Sequence, residues 1–84
     1  MSADQTQQKI AVFFARHLHT ADIAADQDVF TAGLVNSLFA VQIVMFVENE
    51  FGLTVENEDL ELDNFRSINA ITGFVARKQA ALTT

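Results

Sequence analysis

None of the 84 residues is proline and only three are glycine. Nothing in the chain therefore obliges the backbone to leave a helix, and the wealth of Ala, Leu, Gln and Glu favours helices outright. Cysteine is also absent, so neither disulfides nor thiolate metal sites hold this short chain together. At this length one domain, spanning residues 1–84, is expected, with its stability resting on a single apolar core. Half of the residues are hydrophobic, which separates the chain from disordered ones.

The apolar residues recur at helical spacing in several stretches. From about Asp4 to His19, a first helix is expected, with Ile10, Phe13, Phe14 and Leu18 on one face. Asp4 and Gln7 have the spacing of a capping box at its start. The period fails from Thr20 to Asn36, a connection longer than usual between helices. Phe30 and Leu34 are its expected anchors on the core, and Gly33 its tight bend. A second helix is expected to open at Ser37 behind Asn36 as N-cap. It runs to Phe51, with Gly52 in the place of a C-terminal glycine. A short third helix is expected around Glu56–Leu62. The last helix has Ser67 as its N-cap and Ile68, Ile71, Phe74 and Val75 at helical spacing, with Arg77 and Lys78 in its last turns. The fold class is therefore all-α: a small four-helix bundle, three main helices and one short one, with a long loop between the first and second.

Charge narrows the function. The formal net charge is −6 and only five Lys and Arg are present, scattered along the chain, which excludes binding to a nucleic acid backbone. No apolar run is long enough to span a bilayer, and the polar start MSADQTQQK lacks the order of a signal peptide, so a cytoplasmic location is the default. His17 and His19, two apart on a helix, do not share a face, so no metal site is assigned to them. Glu56, Glu58, Asp59, Glu61 and Asp63 cluster near the short helix. They read either as a solubilising surface or as a steering field for basic partners. No cysteine nucleophile, no Ser-His-Asp set and no singled-out carboxylate pair points to catalysis by the chain itself.

The most informative segment is Phe30-Thr-Ala-Gly33-Leu34-Val-Asn36-Ser37-Leu38. With Glu50-Phe51-Gly52, Val55, Asp59-Leu60 and Asn64-Phe65-Arg66-Ser67-Ile68 in order behind it, nearly the whole chain resembles the acyl and peptidyl carrier proteins of fatty acid, polyketide and nonribosomal peptide synthesis. The resemblance implies that Ser37 carries a covalent 4'-phosphopantetheine arm. It implies a phosphopantetheinyl transferase, using coenzyme A and Mg²⁺, as the partner that installs it. Acyl-loading, tailoring and acyltransferase or synthase enzymes are the implied partners thereafter. A phosphodiester on Ser37 also suits a helix N-terminus, where free N–H groups and the dipole favour negative charge.

The family pattern has Asp where this chain has Asn36, which keeps the cap beside the site but removes a charge. Asn-Ser-Leu before an apolar helix resembles the free-standing carriers of methoxymalonyl, hydroxymalonyl or aminomalonyl extender units. An aminoacyl, peptidyl or D-alanyl carrier is the alternative within the family.

The second helix adds a docking expectation. At about 100° per residue, Ala40, Val44, Val47 and Phe51 fall on one side, the expected core face. Leu38, Phe39, Gln42, Met45, Phe46 and Asn49 fall on the other. In many members that outward side is acidic; here it is apolar and amide-bearing. Phe39 and Phe46 are expected to form an exposed patch with Leu38, Gln42 and Met45 for partner docking. The alternatives are a helix buried all round, or an unmodified helical module dimerising through Phe39 and Phe46; a monomer is the expectation.

Overall fold

The computed structural model describes residues 3–18, 23–31, 33 and 37–82. Helix α1 is Ala3–Leu18, α2 is Ser37–Phe51, α3 is the single turn Leu62–Phe65, and α4 is Ile68–Leu82. A 3₁₀ turn, Asn57–Asp59, stands before α3. The described residues are all-helical with connecting turns, in agreement with the bundle expected from the sequence.

The core is built from one stripe per helix. Ile10 and Phe14 of α1 are fully buried, as are Ile71 and Val75 of α4, with Ile68 and Phe74 nearly so. Phe13 packs against this core from its edge; the side chain of Leu18 lies outside the described ones. Helix α2 lies antiparallel to α1: Lys9 meets Glu50 at 3.3 Å, the Phe13 and Phe46 rings stack at 4.3 Å, and the His17 ring lies 5.9 Å from that of Phe39.

Four sequence expectations shift. The capping box of Asp4 and Gln7 does not form at the start of α1, because the helix already includes Ala3; Gln7 instead donates from Nε2 to Asn69 Oδ1 at 3.0 Å, tying α1 to α4. The short helix expected over Glu56–Leu62 is split into the 3₁₀ turn and α3, because the backbone leaves helical conformation at Leu60 (φ −81°, ψ 64°) and is extended at Glu61 (φ −115°, ψ 142°). Helix α4 runs through Leu82, so Arg77 and Lys78 lie before its last turn. Their side chains turn back to Asn64 and Asp59 rather than to the helix end.

The fourth shift concerns α2, whose inward stripe is Phe39, Ile43, Val47 and Phe51, all at most 8 % exposed. Phe39 is thus a core residue, contrary to the outward face expected for it. Its ring stacks on Phe13 at 5.7 Å and meets Phe14 edge-on at 5.5 Å. Two aromatic rings from α1 claim that side of α2, which rotates the helix away from the face that hydropathy alone favours. Phe46 is half-buried against Phe13 rather than fully outward. Ala40 and Val44 sit at the edge of the core rather than its centre.

The expected caps at Gly52 and Ser67 form. Gly52 adopts φ +63° and its N–H donates to Glu48 O at 3.1 Å, ending α2 in the left-handed conformation that glycine takes without strain. Ser67 Oγ accepts from the N–H of Ala70 at 3.0 Å, an ordinary N-cap.

Candidate functional site

Ser37 is the first residue of a 15-residue helix. The first turn of any helix leaves N–H groups without intrahelical acceptors, and the macrodipole puts partial positive charge there. No acidic side chain occupies the first turn of α2 to neutralise it. Leu38, next in the chain, is 67 % exposed. An anionic phosphodiester fits such a position. Asn36 and Leu34 lie outside the described residues, as does His19.

The described part of the segment before α2, residues 23–31, is tied to the rest of the fold. Val29 is fully buried and its N–H donates to Arg66 O at 2.8 Å. The N–H of Asn69 donates to Ala25 O at 2.9 Å. Both bonds tie this loop to the junction of α3 and α4. Asp28 organises the turn that follows: its Oδ1 accepts from the N–H groups of Phe30 and Thr31, and its Oδ2 faces Arg66 Nε at 3.5 Å. The Thr31 amide above all, with Arg66 adding to it, holds the Asp28 carboxyl below the usual aspartate range. Gly33 adopts φ +74°, and its N–H donates to Phe30 O at 3.1 Å. Phe30 packs on the core as expected. Val29 is the deeper anchor, and a lone valine among aspartates carries no periodic signal by which to find it.

Beyond Ser37, the exposed face of α2 carries Leu38, Val41 and Met45 at i, i+3 and i+7, each more than half exposed. Gln42 and Asn49 accompany them. From Ser37 through Val47 no side chain is ionisable. Of the residues expected on the docking face, the structure keeps Leu38, Gln42 and Met45 outside, withdraws Phe39 into the core and leaves Phe46 between. Val41 joins the exposed set.

Several grooves flank α2 among the described residues; one is lined by Phe13, His17, Gln42, Met45 and Glu50, and two others bear on the site. On one side Phe30, Ala40, Val41, Val44, Leu60, Glu61 and Phe65 line an open apolar groove of about 250 Å³. On the other, α1 and α2 enclose a groove of about 630 Å³ floored by Phe13 and Phe46. No periodicity in the sequence could join Ala40 to Leu60 and Phe65; the fold alone brings them together.

The acidic cluster is partly structural. Asp59 Oδ2 accepts from Lys78 Nζ at 2.7 Å and from the N–H of Glu56 at 3.0 Å, and Asp63 meets Arg66 at 2.9 Å. The bond from Lys78 and the Glu56 amide hold the Asp59 carboxyl below its ordinary value, while Asp59 raises Lys78. Glu58 is pushed up by its neighbour Glu56.

A comparison with curated proteins finds no significant match. Among protein-family models, that of the phosphopantetheine attachment site matches residues 8–75, from the middle of α1 to the middle of α4. Members of this family carry covalent 4'-phosphopantetheine and serve a transferase and biosynthetic enzymes as carriers, without being catalysts themselves. The match covers most of the chain and falls on an all-helical bundle with a serine-led second helix. The chain therefore belongs to the phosphopantetheine-attachment family and is a carrier protein.

Proposed function

We propose that Ser37 is the residue that carries the arm, and that the chain holds an acyl group as a thioester on the arm's thiol. The observation that carries this reading is the position of Ser37 as the leading residue of α2, at a helix N-terminus with no acidic side chain in its first turn and beside exposed Leu38. A transferase would move the phosphopantetheinyl group from coenzyme A to Ser37: the hydroxyl oxygen, losing its proton, bonds to the phosphorus that bears the pantetheine, and the pyrophosphate bond breaks to release adenosine 3',5'-bisphosphate. The chain has no cysteine, so the thiol that bears the cargo is the arm's own.

An acyl cargo is favoured by the apolar groove between α2 and Phe65, which offers about 250 Å³ beside the first half of the helix. Asn36 before Ser37 supports the narrower reading of a carrier for methoxymalonyl, hydroxymalonyl or aminomalonyl units. The exposed stripe of Leu38, Val41 and Met45 with Gln42 supports docking of the transferase and acyl-handling enzymes through apolar contact and amide hydrogen bonds. With Phe39 in the core, dimerisation through Phe39 and Phe46 loses one of its two contact residues, and the reading is of a monomer.

Intact-mass measurement tests the proposal. Incubated with coenzyme A, Mg²⁺ and a broad-specificity transferase, the wild-type chain gains one phosphopantetheinyl group and Ser37→Ala gains none. A folded wild-type chain that no competent transferase modifies would sink the reading.

A further inference from the structure

The groove toward Phe65 and the groove toward α1 differ in charge. The ionisable residue lining the groove toward Phe65 is Glu61. The groove toward α1 has Lys9, Arg16 and His17 along its rim, and one acid, Glu50, which Lys9 neutralises at 3.3 Å. The other cations of the chain are engaged elsewhere. Arg66 faces Asp28 and Asp63, Lys78 binds Asp59, and Arg77 donates to Asn64. Arg16 has no ion pair or hydrogen bond among the described residues. In a chain of net charge −6, it is the guanidinium without a partner among the described residues, and it lines the same groove as Phe13 and Phe46, whose rings stack at 4.3 Å. Guanidinium is the side chain best suited to grip a carboxylate, through two parallel N–H donors.

The position of the groove is as informative as its charge. Helix α1 ends where α2 begins, and the His17 ring lies 5.9 Å from that of Phe39. Phe39 follows Ser37 by two residues, about 3 Å of helical rise. The end of α1 that carries Arg16 and His17 thus lies by the first turns of α2, and the nearest α2 residue lining the groove, Phe46, is nine residues beyond Ser37, about 14 Å of helical rise.

We infer that this groove receives a carboxylate-bearing acyl group carried on the arm, with Arg16 as the partner of the carboxylate and the Phe13–Phe46 pair beneath the apolar part. The inference rests on Ser37 as the point of attachment. Glu61 disfavours a carboxylate in the opposite groove, which takes uncharged acyl chains. The charge of the cargo therefore decides on which side of α2 it lies.

The test uses ¹⁵N-labelled full-length chain loaded with malonyl or butyryl groups through a hydrolysis-resistant amide analogue of the arm. Intact mass confirms each loading. The malonyl form is expected to shift the amide signals of Val12, Phe13 and Arg16 and the Arg16 Nε–H signal relative to the unacylated arm. The butyryl form shifts Val44, Leu60 and Phe65 instead. Arg16→Gln, at an exposed position that leaves the core intact, loses the malonyl shifts on α1 and keeps the butyryl shifts. A loaded malonyl form that leaves α1 unmoved, or shifts on α1 that survive Arg16→Gln, overturns the inference alone. A chain that cannot be loaded at Ser37 overturns the attachment reading and this inference with it.

Discussion

Replacing Phe39 by alanine tests which side of α2 faces the core, and so which side is left for partners. Phe39 is 7 % exposed and packs on both Phe13 and Phe14. Truncating a buried phenylalanine removes its transfer energy and leaves a cavity, together costing about 3–5 kcal/mol. A chain of this size has a total stability of about 4–13 kcal/mol. The loss is therefore a large share of the whole, and at about 4–8 °C per kcal/mol it lowers Tm by at least about 12 °C. Met45→Ala is the matched control: at 55 % exposure, its cost is within about 0.5 kcal/mol. Urea and thermal unfolding followed by circular dichroism at 222 nm measure both. Equal and small effects of the two substitutions would refute the inward orientation of Phe39 and return it to the outer face of α2.

Further outcomes follow from the same geometry. Gly52→Ala meets no atom within 4 Å of the added Cβ but must hold φ near +63°; the cost is about 1–2 kcal/mol, from backbone conformation alone, read by urea unfolding. The Asp28 and Asp59 carboxyls titrate lower in the folded chain than in the unfolded one. Their contribution is present above the ordinary aspartate value of about 4 and is lost as pH falls through the lowered values. Asp59→Asn should accordingly flatten the acid limb of a stability-against-pH curve, whereas an unchanged limb would show that the Lys78 and Glu56 contacts do not persist in solution. The double substitution Leu38→Glu with Met45→Glu should slow transferase loading about tenfold, the scale of a lost interface hot spot, while the helical signal stays unchanged. Loading at the wild-type rate would remove this face from the docking surface.

The bundle is legible in the sequence because its apolar residues repeat at helical spacing and its caps are local. Ser67 and Gly52 are read from their immediate neighbours, and both act as expected. The inward faces of α1 and α4 are equally plain, since each has a polar side to contrast with. Helix α2 lacks that contrast: with no charge from Ser37 through Val47, hydropathy cannot say which apolar side faces in. The rings of Phe13 and Phe14 decide it, and they lie more than twenty positions away in the chain. Val29 is hidden for a related reason. Its burial depends on the carbonyl of Arg66 accepting its N–H, a pairing between distant segments. The acidic cluster likewise divides only in three dimensions, where Asp59 is claimed by Lys78 and Asp63 by Arg66.

Function is legible in the order of short motifs around Ser37, and the family match over residues 8–75 agrees with it. The grooves on either side of α2 are not. Their walls come from helices distant in sequence, and that Arg16 lacks a partner among the described residues emerges only once the other Lys and Arg are placed.

The most direct test of Ser37 as the attachment point is to locate the arm on the chain. Holo-protein is digested and its peptides fragmented in a mass spectrometer, so that the phosphopantetheinyl group is assigned to a residue. The group is expected to reside wholly on Ser37. Finding it on Ser67 or any other hydroxyl, with Ser37 unmodified, would contradict that assignment.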